Sequence, residues 1–513
     1  MDVKRIFLCG MPGCGKTTVG KILAEFLKLN FYDLDDFIER EKGVQIKEIF
    51  SKYGESKFRE FERELFSKLK EKENCVIALG GGSILNKDIL DCIIKRGNYS
   101  FYIETDLGKL ERRIKKSFVR PVLKNLDDIR KLYENRKPFY EKVRYKVDGN
   151  KSPQEVSLQI LSKLKFSLHR KVSEKPHNFY LGNVQSFLEM LENNNQKVFL
   201  ITHKKIKELI SYFYDISRFE LILVPEGELA KSIECFERVL RILIDKKADR
   251  SSLILGIGGG VIGDLAGFVS SVFMRGTKLA LIPSTLLAAV DAHLGGKNAL
   301  NFYAKNVIGT FKFPEVVFCD PRLFITLGVR EIVNGFAEIL KTALLDQGVY
   351  TSLRREIETV LSPNLETYLK WVPLIAKLKL KVVKEDPFEL KIKRKILNSG
   401  HTIGHVIEAS SEYRISHGRA VLMGLKEEIE ISRKLSIIDR GFYEDFRELY
   451  RKIEEIVGKL EWTYNKDSYL WLDKKREGEV IGMFLIKKPG LFEYKELDMK
   501  FIKACLLEKH SKN

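Results

Sequence analysis

A chain of 513 residues is too long for one compact core, so two or three domains are expected. With 44% apolar and 31% charged residues it has a globular composition, and its formal charge of +19 leaves nucleic acids or small anions as partners. Basic residues are interspersed with acidic ones and no zinc-finger, RNP or basic-arm pattern occurs, which excludes nucleic acid and favours small anionic substrates.

Residues 5–9 read as a strand, followed by GMPGCGKTT, a G-x4-G-K-[ST] loop in the strand-loop-helix setting that such a loop requires. Backbone amides of Gly10, Gly13, Cys14, Gly15 and Thr18 would wrap phosphates, Lys16 would meet the β and γ oxygens, and Thr17 would ligate Mg²⁺. In FYDLDDFIE, Asp33 and Asp35 alternate at a strand's end. One would support Mg²⁺ and the other receive a hydroxyl proton, and one also suits the N-cap of a helix starting near Phe37. Arg59 is a carboxylate fork, and Gly80, Gly81 and Gly82 permit close backbone approach. Residues 110–124 carry six basic residues around Arg120. After a triphosphate site they read as a lid whose Arg112, Arg113 or Arg120 closes over phosphates. Arg136 precedes an expected aromatic helix.

Together these motifs resemble the shikimate kinase family over residues 1–165. The resemblance implies ATP-dependent phosphorylation of shikimate, with Asp35, Arg59, Gly81 and Arg136 on the substrate, Asp33 near the metal and Arg120 in the lid. A kinase for another small polyol, such as gluconate, is the alternative.

Residues 153–164 read as the last helix of this module, and residues 166–176 as a polar linker. From His177 strands and helices alternate, which predicts a parallel sheet with ligands at the strands' carboxyl ends. The densest stretch is residues 253–301: an apolar strand, the glycines 256, 258, 259 and 260, a helix carrying Asp264, a second strand ending at Ser284 and Thr285, then Asp291, Lys297 and Asn301. Farther on, NGFAEILKTALL predicts an amphipathic helix with Glu338 and Lys341 on one face. Arg394, Asn398, His401, His405 and Glu408 follow at helical intervals and read as one helical face, with His417 after them. Three of the chain's eight histidines within seventeen residues argue for a metal site, and spacing alone makes His401 and His405 a chelating pair.

GGGVIGDLAGF, MRG, PSTLLAAVD and GGKNALN resemble the core signature of the 3-dehydroquinate synthase family. The resemblance implies NAD⁺ on Glu228, Lys231, Gly259, Gly260, Asp264, Ser284, Thr285, Lys297 and Lys305. It places zinc or cobalt on Glu338, His401 and His417, and leaves His405 for the substrate phosphate. It further assigns Asp291, Lys297, Lys341, Lys379, Arg394 and Asn398 to the chemistry, with Asn306, Glu389 and either Lys474 or Lys475 on a heptulosonate phosphate; Lys475 is the choice carried forward. Departures from the family pattern are His203 for an Asp, Asn298 for a Thr, one extra residue before Arg394, and Arg419 for a Glu.

The expected architecture is α/β throughout: a P-loop kinase (1–165), a linker (166–176), a Rossmann-like NAD-binding domain (177–325) and a helical metal- and substrate-binding domain (326–513). Seven cysteines without a CxxC pair, no signal-peptide pattern and no apolar run of membrane-spanning length predict a cytoplasmic protein with reduced thiols and no membrane partner. The synthase resemblance implies a homodimer. A metal-dependent polyol dehydrogenase in the second half, or one half reduced to a binding module, are the alternatives.

Overall fold

The computed structural model describes residues 4–95, 97–117, 126–193, 196–462, 476, 477 and 479–510. Two compact units divide the chain: residues 1–167 with 364–366, and residues 168–363 with 367–513.

The first unit is built on five parallel strands, β1 (Arg5–Cys9), β2 (Asn30–Asp33), β3 (Cys75–Ala78), β4 (Tyr99–Glu104) and β5 (Tyr145–Asp148), in the order β2-β3-β1-β4-β5. β1 and β3 are apolar and almost wholly buried, as strands covered on both faces must be. The helix Lys16–Leu27 turns Val19, Leu23, Ala24 and Phe26 to the core at three- and four-residue spacing. The helix after β2 starts at Leu34, earlier than expected, because the Asp33 carboxylate caps it by accepting from the Asp35 N–H. Asp35 therefore stands in a first helical turn and not on a strand. Arg136 likewise lies inside a helix, Leu126–Tyr140, and the aromatic run is that helix's end. Of the expected lid, residues 110–117 continue a helix (Leu107–Ser117), while Arg120 lies outside the described residues.

The second unit holds a seven-stranded sheet: β6 (His169–Ser173), β7 (Asn178–Gly182), β8 (Val198–Thr202), β9 (Glu220–Leu223), β10 (Leu253–Gly258), β11 (Lys278–Pro283) and, later in the chain, β14 (Val316–Cys319). Its order is β6-β7-β14-β11-β10-β8-β9, parallel except for β6. The stretch read as a linker thus contributes an antiparallel edge strand: β6 pairs with β7 and sends Val172 into the core. Central β10 pairs with β11 residue for residue up to Gly258 opposite Pro283, so both strands deliver their following loops to one edge. Between β11 and β14 a hairpin projects, β12 (Lys297–Phe302) and β13 (Ala304–Phe311).

The helical part follows, with Val329–Ala343, Leu365–Glu385, His401–Ser410, His417–Lys434 and Arg440–Val457 among its helices. A three-stranded antiparallel sheet stands near its end. Residues 392–398 form a 3-10 turn, and Gly400 at φ 77° breaks the helical path before His401. Arg394 and Asn398 therefore do not share a helix face with His401, as their spacing had suggested. The left-handed Gly400 is fixed by its N–H, which donates to the buried Glu428 carboxylate at 2.7 Å.

Candidate active sites

In the first unit, Gly15 adopts φ 102° as N-cap and offers no side chain to the helix that follows. The first N–H groups of that helix are left to an anion, which the positive end of the helix dipole favours. Lys16 Nζ donates to the carbonyls of Gly10 (2.9 Å) and Met11 (3.2 Å), so its cation already lies over the loop. The Thr17 hydroxyl donates to Asp33 Oδ2 at 2.6 Å, joining the two groups expected around Mg²⁺. Gly13, Cys14, Thr18 and Asp35 join them in lining a cavity of about 590 Å³. Arg113 also faces it and donates to the Gly13 carbonyl at 3.1 Å, whereas Arg112 turns back to Gly108 within its own helix.

Arg59 is held by Glu62 (2.8 Å) and Glu55 (3.0 Å). Glu62 is wholly buried and also accepts from Ser83 at 2.5 Å, which fixes the carboxylate that holds the Arg59 guanidinium at Nη1. Arg136 and Tyr140, one helical turn apart, both donate to the Gly81 carbonyl, at 3.0 and 2.6 Å. Sequence reading passed over Glu62 and Tyr140; their signal was the spacing of three and four residues from Arg59 and Arg136.

In the second unit, Glu338 lies on the buried face of Val329–Ala343 among Phe336, Ile339 and Leu340, and Lys341 is buried with it and pairs with its carboxylate. His401 and His417 open two successive helices, and one ligand atom from each histidine and from Glu338 falls within 4.8 Å of the others. Both rings are oriented from outside. His401 Nδ1 donates to the Ser399 carbonyl (3.2 Å) and His417 Nδ1 meets Glu408 (3.4 Å), which turns each Nε2 toward Glu338 Oε1, at 3.4 and 3.3 Å. Burial and the nearby Lys341 keep His401 well below its usual pKa, hence neutral. Burial also pulls on His417, but its hydrogen bonds to Glu338 and Glu408 outweigh that and push it up to about 10. Two imidazoles and one carboxylate converging this way fit a catalytic zinc or cobalt ion with open positions. His405, one turn on, stands with its ring 5.5 Å from that of His401, on the exposed side.

Beside the trio is a cavity of about 180 Å³ lined by Asp291, Lys297, Lys341, Lys379, Arg394 and Asn398, among others. Asp291 binds Lys379 at 2.5 Å and Lys341 at 3.3 Å. Burial opposes its ionisation, yet the two lysines hold it well below the usual carboxylate range. Burial, with Lys341 adding to it, brings Lys379 down to about 8 against the pull of Asp291. Lys297 pairs with Glu389 at 2.5 Å, Asn398 donates to the same carboxylate, and Arg394 donates to the Gly295 carbonyl at 2.5 Å.

A shikimate kinase family model matches residues 12–165, and models of the N-terminal and C-terminal parts of 3-dehydroquinate synthase match residues 221–334 and 335–476. The bifunctional shikimate kinase/3-dehydroquinate synthase of Thermotoga maritima is 32% identical over 96% of this chain and 98% of its own length. The chain belongs to that bifunctional family. It is a shikimate kinase and a 3-dehydroquinate synthase on one polypeptide, which sets aside the gluconate-kinase and polyol-dehydrogenase alternatives. The 3-dehydroquinate synthase of Pyrococcus furiosus is 41% identical over 64% of this chain and 97% of the relative. Among solved structures, a 2-deoxy-scyllo-inosose synthase complexed with carbaglucose-6-phosphate, NAD⁺ and Co²⁺ superposes with a TM-score of 0.59 at 23% identity, covering 67% of this chain and all of that one. That likeness establishes the fold of the synthase half.

The remaining synthase residues cluster along the glycine-rich edge. Lys231 is buried and donates to Asp264 at 2.5 Å and to the side-chain oxygen of Asn306. Burial raises Asp264 to about 6, more than Lys231 lowers it. Glu228 accepts from Asn301 at 2.8 Å, and Lys305 lies 4.0 Å over the Tyr413 ring. Thr285 caps the helix Leu286–Val290, and Ser284 is buried beside it. Lys474 and Lys475 lie outside the described residues.

The departures have local accounts. Arg419 donates to the carbonyls of Val457 and Lys459, closing the end of the helix Arg440–Val457. Asn298 staples the base of the hairpin by donating to the carbonyls of Gly296 (2.9 Å) and Lys312 (3.1 Å). The extra residue before Arg394 is taken up in a turn around buried Asp386, whose carboxylate accepts from the Leu390 and Lys391 N–H groups, with Glu389 at φ 56° still reaching Lys297. His203 stands at the N-cap of Lys204–Ile210 without a capping bond, 3.9 Å from Glu226.

Proposed function

We propose that the kinase half transfers the γ-phosphoryl group of Mg-ATP to the 3-hydroxyl of shikimate. The synthase half separately converts 3-deoxy-D-arabino-heptulosonate 7-phosphate to 3-dehydroquinate and phosphate, using NAD⁺ and a zinc or cobalt ion. The observation that carries the synthase reading is the Glu338, His401 and His417 trio set against a pocket of cations. An inosose synthase of the same fold is described with NAD⁺ and Co²⁺.

In the kinase half, Lys16 and the loop amides hold the β- and γ-phosphates, while Thr17 and Asp33 orient Mg²⁺. Asp35 takes the proton of the attacking hydroxyl, and Arg59, Arg136 and Gly81 hold shikimate; Arg120 closes over the nucleotide.

In the synthase half, Glu338, His401 and His417 would hold the metal, and Glu228, Lys231, Asp264, Thr285 and the turn at Gly259 and Gly260 would hold the dinucleotide. When bound, these groups supply Lewis acidity at the alcohol to be oxidised and a temporary place for its hydride. Asp291, kept ionised between Lys341 and Lys379, orients the substrate's hydroxyls. Lys297, Arg394, Asn398, His405 and Lys475 meet its carboxylate and phosphate, and their preorganised charge stabilises the phosphate as it leaves. Lys305, Asn306 and Glu389 complete the wall.

A domain limit at 326 within the synthase half and a homodimer through that half belong to the same reading; sedimentation of the purified chain tests the latter. No helix among the described residues is long and apolar enough to cross a membrane.

The test is product analysis on the full chain. Phosphate and 3-dehydroquinate formed without net NADH, together with ATP-dependent phosphorylation of shikimate, are expected. NADH accumulating without phosphate release, or no shikimate phosphorylation, would contradict the reading.

A further inference from the structure

The loop that carries Asp291 and Lys297 passes beneath the glycine-rich turn after β10, and His293 ties the two together. His293 is 2% exposed, and its Nε2 lies 3.2 Å from the Gly259 carbonyl. A carbonyl can only accept, so Nε2 carries the proton. Burial draws the imidazole down to about 4, which keeps it neutral at working pH.

Two further features show that the contact is built for the ring. Gly263 leaves the space in which the imidazole sits: a Cβ there would collide with Nε2 and Cδ2. His293 Nδ1, and both ring nitrogens of buried His177 nearby, have no hydrogen-bond partner among the described residues. A buried nitrogen without a partner is costly, so packing alone would favour an apolar side chain at this position. What the imidazole adds is the one bond to Gly259.

Gly259 is the N-cap of the helix Gly260–Val272, whose first N–H groups receive no side-chain cap. Its carbonyl accepts from Ile262 and Gly263 in the first helical turn as well as from His293, and the Gly258 carbonyl is taken by the Ser284 N–H at 2.9 Å. The carbonyls of the turn are thus engaged from below, while the helix's leading N–H groups remain for an anion.

We propose that His293 is a positioning residue for the dinucleotide. It fixes the turn that takes the pyrophosphate and locks it to the loop bearing Asp291 and Lys297, so that cofactor and substrate groups are set in one register. The inference rests on the NAD⁺ reading above.

The test is calorimetric titration of the full-length chain with NAD⁺, alongside KM and kcat of the synthase reaction. His293→Phe keeps the bulk and loses the donor. It should weaken NAD⁺ binding about tenfold and raise the KM for NAD⁺ more than it lowers kcat at saturating cofactor. His293→Gln, which restores a donor, should recover binding to within about threefold of wild type. Gly263→Ala leaves His293 in the sequence but displaces its ring, and it suits a helix, so it gives a folded second probe; it should weaken NAD⁺ binding as His293→Phe does. Wild-type affinity in His293→Phe and Gly263→Ala, or equal weakness in the Phe and Gln variants, would overturn the inference while leaving the NAD⁺ reading standing. A wild-type chain that binds no NAD⁺ would overturn both.

Discussion

The two active sites of this chain are constructed in opposite ways. The kinase site is made mostly of backbone from one short stretch, opens into a cavity of about 590 Å³ and keeps its cation on carbonyls of its own loop. The synthase site gathers side chains more than a hundred residues apart into about 180 Å³ and pairs its charges there: Glu338 with Lys341, and Asp291 with Lys341 and Lys379. A phosphate loop needs only a chain conformation, because its donors are amides that every residue carries. A buried acid and base pocket needs each charge balanced before substrate arrives, so removing one partner leaves another uncompensated.

The largest separation of the two sites should come from Glu338→Gln. Losing the charged ligand removes metal binding and, with it, roughly three orders of magnitude of synthase turnover, or about 4 kcal/mol. Shikimate phosphorylation measured on the same sample should stay within twofold. Asp35→Asn reverses the pattern: shikimate phosphorylation falls roughly 10²- to 10⁴-fold, as expected for loss of a general base, and phosphate release from the heptulosonate phosphate is unchanged.

Glu408→Gln probes the layer behind the metal trio. Weakening the partner of His417 Nδ1 should cost about 10- to 100-fold in zinc affinity, read by competition with a chromogenic chelator, without loss of fold.

The electrostatic difference also has a pH signature. Burial lowers Lys379 to about 8, so it is charged below that pH and neutral above it. An anionic substrate favours the charged form. The synthase KM should therefore climb above pH 8, approaching about tenfold per unit, while the kinase KM for shikimate shows no such limb. In Lys379→Arg the climb should disappear from the pH 8 to 9 window. The smallest effect is expected of Tyr140→Phe: one of two donors to Gly81 is lost, and the KM for shikimate should rise about fivefold.

The same contrast explains what could be read from the sequence. The run from Gly10 to Thr18 is contiguous and its chemistry is backbone geometry, so the motif carries nearly the whole phosphate site. An N-cap at Asp33 or Asp35 was readable, but which of the two caps and where the helix starts were not, because both depend on the Asp35 N–H reaching back to Asp33. In the synthase half, spacing alone pointed to His401 with His405. The cluster instead takes His417, since the break at Gly400 and the helix opened by His417 aim that ring at Glu338. Residue spacing contains neither event; only the family resemblance supplied that ligand set. Arg394 and Asn398 failed as helix neighbours for the same reason, yet they reach the pocket from a 3-10 turn. β6 was read as linker because its residues are polar, which an edge strand with one face to solvent permits.

The central claim is that Glu338, His401 and His417 hold the one metal on which the synthase half depends. Its most direct test is to strip the full-length chain with chelator, add zinc or cobalt back in steps, and follow phosphate release from the heptulosonate phosphate at saturating NAD⁺. Activity should vanish on stripping and return linearly to a plateau at one equivalent per chain. Full phosphate release from the stripped chain, or equal metal uptake by Glu338→Gln, would contradict the account.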